Sequence, residues 1–397
     1  MAMVNPGAII RFIKDYQLVN RSGYFERDFY LKAYPFVAGS GNNPITDYLL
    51  RGWKEGRDPG LLFNSREYLD MSPDVREAGL NPLVHYLRFG KQEGRKITRS
   101  WVREDGQIPT SKPAESELSD VEWTKLRFHE RFNYPLDVKR PQTFNEKLNV
   151  YKMYYREKPL WQYVDKYLAK DYVKQKIGAE YLVPSLGAFT EVDDIQLEQL
   201  PDQFVLKATH GSGWNIFCRD KSQLDWQKCR DEMRGWLSDN LYLHFREWPY
   251  NNITPRILVE PLLQDPSGKL PNDYKFFCYN GEVKYVYEVS ERETAYYLDF
   301  YDMDWNWLPI RFGYPNNPHK STKPRQFDEM VRIAGELSRG FPFVRVDLYA
   351  SPKIYFGELT FYPQAGFIEI TPREWDIRLG QDFRMDFLRA QNRASSQ

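Results

Sequence analysis

Apolar and polar residues alternate with a period of two between Phe341 and Phe367, on both sides of a short turn. This pattern is typical of a β-hairpin. Because side chains alternate between the two faces of a strand, Arg345 and Asp347 share one face of the first strand. Glu358 and Thr360 share a face of the second strand for the same reason. The pattern therefore predicts an arginine and two carboxylates on neighbouring strands.

The other residues of both strands are mostly Val, Leu, Ile, Tyr and Phe, which is typical of a buried sheet. Burying a charge costs on the order of several kcal/mol unless the charge is paired. A divalent cation that bridges phosphates, with Arg345 on a further anionic group, would supply the pairing. A structural pair of Arg345 with Asp347, and Glu358 at a hydrated sheet edge, explains the hairpin equally well.

A second pattern repeats within the first hundred residues. Matching residues lie 38 positions apart, as in Asn43-Pro44 and Asn81-Pro82. Each copy predicts two short helices, since an Asn cap followed by Pro starts a helix and Gly ends one. We predict an all-α module over residues 1–98, with repeats at about 23–60 and 61–98 that stack on each other.

The periodic pattern fades from residue 99 to residue 120, which is polar and contains Pro and Ser, so we predict a linker there. Residues 121–397 mix helical and strand patterns and predict one α+β domain. Thr143, with Glu146 three residues later, has the spacing of a capping box at the start of a helix.

A glycine loop follows the strand that contains Lys207. The loop carries Gly211 and Gly213 and leads into a second strand. Glycine lets backbone N–H groups approach a phosphate closely, and a lysine held on a strand supplies positive charge. The loop alone is a weak indication, because it matches neither the Walker A nor the Rossmann pattern and most glycine-rich hairpins are plain turns.

Composition excludes several functional classes. Lys and Arg total 55 and Asp and Glu total 55, so no overall field favours nucleic acid or an anionic membrane. The three cysteines lack CxxC spacing, which fits a reducing compartment better than a disulfide framework. No stretch approaches the roughly 18 apolar residues of a transmembrane helix, and the N-terminus lacks a signal-peptide pattern. We expect a cytoplasmic protein, with peripheral attachment to the inner membrane face left open.

The order of the charged groups resembles that of the nucleotide and metal ligands in ATP-grasp enzymes such as D-alanine–D-alanine ligase. Short blocks, among them TFNEKL, FVLKATHGSG, REWPY, DYKFFCYNG and FVRVDLY, are similar to those of the TupA-like ATP-grasp family of teichuronopeptide and polysaccharide biosynthesis. This resemblance spans about Trp123 to Gly380. It implies an α+β ATP-grasp fold, in which two subdomains grip ATP, behind the helical module.

The resemblance implies a nucleotide-binding set: Lys166, Lys207, His210, Gly211, Ser212, Gly213, Glu260, Pro261, Leu262, Leu263, Asp273 and Lys275. Lys166 and Lys207 would contact the phosphates, beneath a flap formed by residues 210–213. Glu260 would bind the adenine amino group, and residues 261–263 would line the base. Asp273 stands where relatives place an acid that binds the ribose.

For catalysis the resemblance implies Arg345, Lys207 and His210, with Arg345 facing an acyl phosphate. Asp347 and Glu358 would hold Mg²⁺. Thr360 stands where relatives carry an asparagine ligand, and a hydroxyl is a poorer ligand, so a second metal position is in doubt.

The implied reaction is carboxylate–amine ligation, in which ATP phosphorylates a carboxylate and an amine attacks the acyl phosphate. We expect an amino acid or another amine as one substrate, and a uronic acid or peptide substituent of a surface polysaccharide, such as a capsule or O-antigen, as the other. Two alternatives stay open: an ATP-grasp kinase that phosphorylates a glycan hydroxyl, and a scaffold without catalysis.

An acidic glycan would be held by arginines and aromatic rings, because arginine forks bind anions and sugar faces stack on rings. The candidates are Arg246, Trp248, Tyr250, Arg292, Tyr362 and Arg373. Surface helix caps and core aromatics explain each of them equally well.

The N-terminal repeats resemble those at the ends of bacterial polysaccharide glycosyltransferases, through the pattern that runs from Asn81 to Arg95. We therefore expect an interaction or targeting module for polysaccharide-assembly proteins. Packing and helix capping explain His85 better than catalysis does.

Overall fold

The computed structural model describes residues 6–39, 41, 43–97, 118–350 and 352–388. The chain divides into two units, Met1–Arg140 and Pro141–Gln397. Most of the predicted linker, residues 99–117, lies outside the described residues. The helix Asp120–Phe132, which follows the linker, is grouped with the first unit and not with the domain that we predicted from residue 121.

The first unit is helical. Its helices are α1 (Pro6–Arg21), α2 (Arg27–Ala33), α3 (Pro35–Gly39), α4 (Pro44–Asp47), α5 (Ser65–Met71), α6 (Pro73–Glu77), α7 (Pro82–His85) and α8 (Asp120–Phe132). A π-helical turn continues α4 at Tyr48–Gly52, and another continues α7 at Tyr86–Gly90. Helices α2 and α4 recur as α5 and α7 at an offset of 38 residues, so the structure carries the repeat.

One tyrosine in each copy explains part of the repeated pattern. A Cβ at Gly52 would collide with the Tyr30 hydroxyl, and a Cβ at Gly90 would collide with the Tyr68 hydroxyl. The Tyr68 hydroxyl lies 2.9 Å from His85 Nδ1, and both residues are buried. His85 is therefore part of the packing between helices of its repeat.

The second unit combines helices with three antiparallel sheets. Its helices are α9 (Phe144–Tyr154), α10 (Trp161–Val164), α11 (Ala169–Ile177), α12 (Trp226–Ser238), α13 (Leu241–Phe245), α14 (Phe327–Ser338) and α15 (Arg373–Asp382). Both Thr143 at α9 and Ser119 at α8 form complete capping boxes, which confirms the prediction for Thr143 and Glu146.

The strands are β1 (Gly187–Phe189), β2 (Phe204–Ala208), β3 (Asn215–Cys218), β4 (Ile257–Pro261), β5 (Asp273–Tyr279), β6 (Glu282–Ser290), β7 (Tyr297–Tyr301), β8 (Trp307–Leu308), β9 (Arg311–Phe312), β10 (Val344–Ala350), β11 (Ile354–Thr360) and β12 (Ile370–Thr371). They form a four-stranded sheet in the order β1-β4-β2-β3 and a six-stranded sheet in the order β11-β10-β5-β6-β7-β8, and β12 pairs with β9. Helix α14 packs on the larger sheet and buries Met330 and Ile333 there.

The predicted hairpin is confirmed as β10 and β11. Arg345 lies opposite Thr360, and Asp347 lies opposite Glu358, so all four side chains share one face of the sheet. The register shifts just after Asp347, where Gly357 is the extra residue. A Cβ at Gly357 would lie 3.0 Å from the Asp347 carbonyl oxygen, which favours glycine at this bulge.

Within the described residues, no helix is both long and apolar enough to cross a membrane.

Candidate active site

A cavity of about 550 Å³ lies in the second unit, and its lining draws on both larger sheets. Strands β2 and β4 of the smaller sheet contribute Lys207 and Glu260. Strands β10 and β11 of the larger sheet contribute the polar face of the hairpin. The predicted polar cluster and the predicted phosphate-binding lysine therefore line one cavity.

Arg345 is the centre of the polar cluster and is almost fully buried. Its Nε and one Nη each donate to Asp347 over 2.7 Å. The same Nη donates to Glu358 over 3.1 Å and to the Thr360 hydroxyl over 2.9 Å. The other Nη donates to the Tyr287 hydroxyl over 3.0 Å, so the whole guanidinium is fixed in one orientation.

The two carboxylates of this cluster differ in acidity. Burial raises the pKa of Asp347 to about 6, although Arg345 and Lys275 oppose the rise. Burial also acts to raise the pKa of Glu358, but the fields of Lys166, Lys275 and Arg345 outweigh it and leave the value at about 2. Glu358 is therefore the carboxylate that stays ionised throughout the neutral range.

Lys275 joins this cluster to Asp273 on β5. Its ammonium lies 2.7 Å from Asp273 and also pairs with Asp347. The Oδ1 atom of Asp273 is buried and has no hydrogen-bond partner among the described residues. A buried acceptor without a donor is costly, and a ribose hydroxyl could supply that donor.

Glu260 forms a second charged group with two lysines. Lys170 donates to one carboxylate oxygen, and Lys207 donates to the other over 2.7 Å. Burial acts to raise the pKa of Glu260, but both lysines outweigh burial and lower it. Both oxygens of the residue assigned to the adenine amino group are therefore engaged with lysines here.

The glycine loop contributes unevenly to the cavity. Ser212 and Gly213 line it, and Gly213 has a φ of 76°, which favours glycine. Lys166 donates to the Gly211 carbonyl and lies 3.9 Å from Glu358. His210 is outside the lining: its Nε2 lies 2.8 Å from the Trp236 carbonyl, and burial lowers its pKa. Its predicted catalytic role would need this loop to rearrange.

The hinge residues 261–263 line the cavity beside Glu260. Of the six acceptor candidates, Tyr250, Arg292 and Tyr362 also line it, whereas Arg246, Trp248 and Arg373 do not. Trp248 donates from Nε1 to the hydroxyl of the lining residue Tyr362 over 3.0 Å, and so contacts the cavity lining without being part of it. Arg373 is exposed at the start of α15, and the neighbouring Trp375 is part of the hydrophobic core.

Position along β10 separates two ends of the cavity. Arg292 lies over the Tyr349 ring at 5.7 Å. Glu247 is instead affected by the charge of Arg345, which lies on β10 four residues before Tyr349. Four residues of a strand span about 13 Å. The charge of Lys207 acts on Tyr349, and Lys207 and Lys170 share Glu260, so we call the group of Lys170, Lys207 and Glu260 the hinge end.

The Glu247 end consists of Glu247, Tyr250, Tyr362 and Gln364, which all line the cavity near Arg345. The sequence blocks pointed to neither Glu247 nor Lys170 as site residues. Lys170 lies four residues after Lys166, a spacing that could have indicated a shared face, although α11 begins only at Ala169. Glu247 lies inside REWPY, whose Arg246, Trp248 and Tyr250 are among the predicted acceptor residues.

The donor set at the centre fits one magnesium ion. Magnesium prefers oxygen ligands and keeps several positions for phosphates and water, so two carboxylates are sufficient protein ligands. Among the described residues, no group of three or more His, Cys, Asp or Glu converges as a metal site. The Thr360 hydroxyl accepts a hydrogen bond from Arg345 and donates one to Glu358, so it is already engaged and is a poor ligand for a second ion.

Solved ATP-grasp structures resemble this chain only distantly. They include the ADP complex of N5-carboxyaminoimidazole ribonucleotide synthetase, at 12% identity and a TM-score of 0.32, which covers 51% of this chain and 45% of that chain. D-alanine–D-alanine ligase from Bacillus anthracis complexed with ATP matches at 11% identity and 0.28, over 50% of this chain and 53% of that one. D-cycloserine synthetase matches at 13% and 0.31, over 56% and 69%.

Likeness at this level does not extend to activity or substrate, and the chain spans about half the length of the first two structures. No curated protein matches the sequence. The family model described as TupA-like ATPgrasp matches residues 146–384. This range contains every residue of the hinge end, of the polar cluster around Arg345 and of the Glu247 end. The chain therefore belongs to the TupA-like ATP-grasp family and has its α+β fold.

Proposed function

We propose that the protein is an ATP-dependent carboxylate–amine ligase. It would join an amino acid or another amine to a carboxylate, and that carboxylate would be a uronic acid or a peptide substituent of a bacterial surface polysaccharide. The observation that carries this proposal is the single cavity in which Arg345, Asp347 and Glu358 face Lys166 and Lys207.

Lysines around the cavity supply the charge that a triphosphate needs. Lys166, Lys207 and Lys275 each already lie against a carboxylate, so their ammonium groups are held in place before a ligand arrives. Transfer of a phosphoryl group needs positioning and electrostatic stabilisation more than covalent chemistry from the protein. A frame of fixed cations meets that need.

Asp347 and Glu358 would hold the Mg²⁺ of the bound nucleotide, and this ion would neutralise charge on the phosphates. Arg345 contacts both carboxylates and keeps its guanidinium plane fixed through Tyr287. An arginine fork in one orientation suits an oxyanion such as a carboxylate or an acyl phosphate. Arg345 would therefore orient the carboxylate as it is activated.

The acidic-glycan acceptor is supported by an arginine and two aromatic rings of the cavity lining. Arg292 lines the cavity beside Tyr349 and could pair with an acidic acceptor, and Tyr250 and Tyr362 offer ring faces at the Glu247 end of the same cavity. Arg246, Trp248 and Arg373 would act outside the cavity if they contact a longer glycan. The N-terminal repeats would bind polysaccharide-assembly proteins.

Mass spectrometry of a condensation reaction tests the proposal. The full-length protein is incubated with ATP, Mg²⁺, D-glucuronic or D-galacturonic acid and an equimolar amino-acid mixture. We expect ADP, inorganic phosphate and an amide of one pair. A phosphorylated sugar without inorganic phosphate would instead identify a kinase, and absence of ATP binding would leave a scaffold.

A further inference from the structure

Glu247 is a buried carboxylate to which the proposed function assigns no role so far. It is 8% exposed and lines the cavity. Among the described residues, no hydrogen bond or ion pair reaches its carboxylate, and the charges that act on it from a distance are Lys152, Glu358 and Arg345. A buried charge without a direct partner is costly, so such a residue is a candidate for function.

Two strained backbone segments hold this end of the cavity in shape. Arg246, just before Glu247, has a φ of 53°, and Gln364 and Ala365 on the facing loop have φ values of 51° and 54°. These left-handed conformations are costly for residues with a Cβ and cluster at functional sites. Glu247 is thus aimed by a turn that the local sequence does not favour.

A buried lysine ties the two segments together. Lys152 on α9 donates from Nζ to the Phe245 carbonyl over 3.2 Å and to the Ala365 carbonyl over 2.8 Å. Its ammonium also lies 4.3 Å from the centre of the Phe367 ring. Lys152 therefore fixes both loops, while the Glu247 carboxylate faces the cavity.

The remaining surroundings of Glu247 favour a cationic ligand. Tyr250 and Tyr362 supply aromatic surface, and rings attract ammonium groups. Arg345, the cavity cation whose field acts on Glu247, is already bonded to Asp347, Glu358 and Tyr287. Burial raises the pKa of Glu247 to about 7, against the opposing field of Lys152, so its carboxylate can accept a proton near neutral pH.

We propose that the Glu247 end binds the primary amine substrate as its ammonium ion, with the Glu247 carboxylate as counter-ion and proton acceptor. This inference rests on the proposed ligase function and names the subsite of the second substrate.

In this step the amine loses two protons and the acyl group loses its phosphate. The ammonium gives one proton to Glu247, and the neutral amine attacks the acyl carbon with its lone pair. A C–N bond forms, the bond from the acyl carbon to the phosphate oxygen breaks, and phosphate leaves with that electron pair. The second proton lost from nitrogen goes to the departing phosphate, and Glu247 releases its proton to water.

Hydroxylamine separates this step from activation, because it is largely uncharged at neutral pH and needs no proton acceptor before it attacks. Full-length wild type, Glu247→Gln, Glu247→Asp and the exposed control Glu282→Gln are given ATP, Mg²⁺ and D-glucuronic or D-galacturonic acid. Each reaction receives either hydroxylamine or an equimolar amino-acid mixture. Hydroxamate, amide and inorganic phosphate are measured, with ATP affinity as the check on folding.

We expect Glu247→Gln to form amide about 10²–10⁴-fold more slowly, while its hydroxamate formation and ATP affinity stay within about threefold of wild type. Glu247→Asp should recover part of the amide rate, and Glu282→Gln should match wild type. The rate in Glu247→Gln should rise with pH as free amine accumulates.

Four results would overturn the inference. Equal loss of hydroxamate and amide in Glu247→Gln would assign the residue to activation or to the fold. Unchanged amide formation would remove it from the reaction, and hydroxamate without amide from any amino acid in wild type would exclude this class of amine. Wild type that forms neither product with either uronic acid would refute the acceptor assignment of the proposed function, and the inference with it.

Discussion

The two ends of the cavity treat their buried carboxylates in opposite ways. At the hinge end, each oxygen of Glu260 accepts a hydrogen bond from a lysine. At the Glu247 end, the carboxylate of Glu247 has no direct partner within the described part of the chain. Glu260 therefore has a lowered pKa and Glu247 a raised one, although burial acts on both in the same direction.

This difference shows that burial alone does not set the state of a carboxylate. Where lysines are built in, the charges are neutralised before a ligand arrives, and the protein offers a rigid frame for an anion such as a triphosphate. Where no cation is in direct contact, as at Glu247, a proton or a cationic ligand can neutralise the carboxylate. The comparison supports our proposals that the nucleotide binds at the hinge end and the amine at the other.

The largest expected effect is on turnover, from substitutions in the polar cluster between the two ends of the cavity. Replacement of Asp347 or Glu358 with Ala should reduce turnover by about 10³-fold or more, because each would remove a proposed oxygen ligand of the metal. Phosphate release measures the loss, and the melting temperature checks that the fold survives. Full turnover of either variant at any Mg²⁺ concentration contradicts the metal assignment.

Lys207→Ala tests the hinge end. The variant loses a phosphate contact and leaves Glu260 with Lys170 alone, so we expect ATP affinity to fall about 10- to 100-fold. Calorimetric titration with ATP measures this, and the exposed Lys284→Ala on β6 is the matched control. Equal affinities in the two variants would remove Lys207 from the nucleotide site.

The pH dependence of stability tests the Glu247 end. The pKa of Glu247 in the folded protein, about 7, exceeds its ordinary value of 4.5, so the fold favours the protonated form. The stability this contributes is complete below pH 4.5 and is lost as the pH rises through 7. Relative to wild type, Glu247→Gln should therefore gain on the order of 3 kcal/mol between pH 4.5 and 8. If the free energy of unfolding depends on pH in the same way in both proteins, the pKa of Glu247 is not raised in the folded protein and the prediction is wrong.

The smallest expected effect concerns the acceptor. Arg292→Ala should weaken binding of an acidic saccharide by about tenfold, and added salt should weaken it further. Arg373→Ala should have little effect, because Arg373 is exposed and outside the cavity lining. Affinity measured with oligogalacturonate compares the pair. If both variants lose affinity equally, the saccharide also runs over the surface near α15.

The sequence predicted the centre of the site well, for local reasons. A strand has a period of two, so alternation alone placed Arg345 with Asp347 and Glu358 with Thr360 on one face. The family resemblance then supplied Lys207 and Glu260, which the structure brings to the same cavity.

The Glu247 end could not be predicted, because its shape depends on distant contacts. Lys152 bonds to carbonyls that are 93 and 213 residues away along the chain. No local pattern encodes such a connection. His210 shows the converse limit: its place in the glycine loop indicated a cavity-facing side chain, but the ring bonds to Trp236 instead.

Transfer of an oxygen isotope tests the central claim most directly. A uronic acid labelled with ¹⁸O in both carboxylate oxygens is supplied with ATP, Mg²⁺ and the amine found to condense with it. An acyl phosphate passes one labelled oxygen to phosphate when the amine displaces it, so we predict one ¹⁸O in each molecule of inorganic phosphate and one in the amide. Unlabelled phosphate, or both labels retained in a phosphorylated sugar, would contradict a carboxylate–amine ligase.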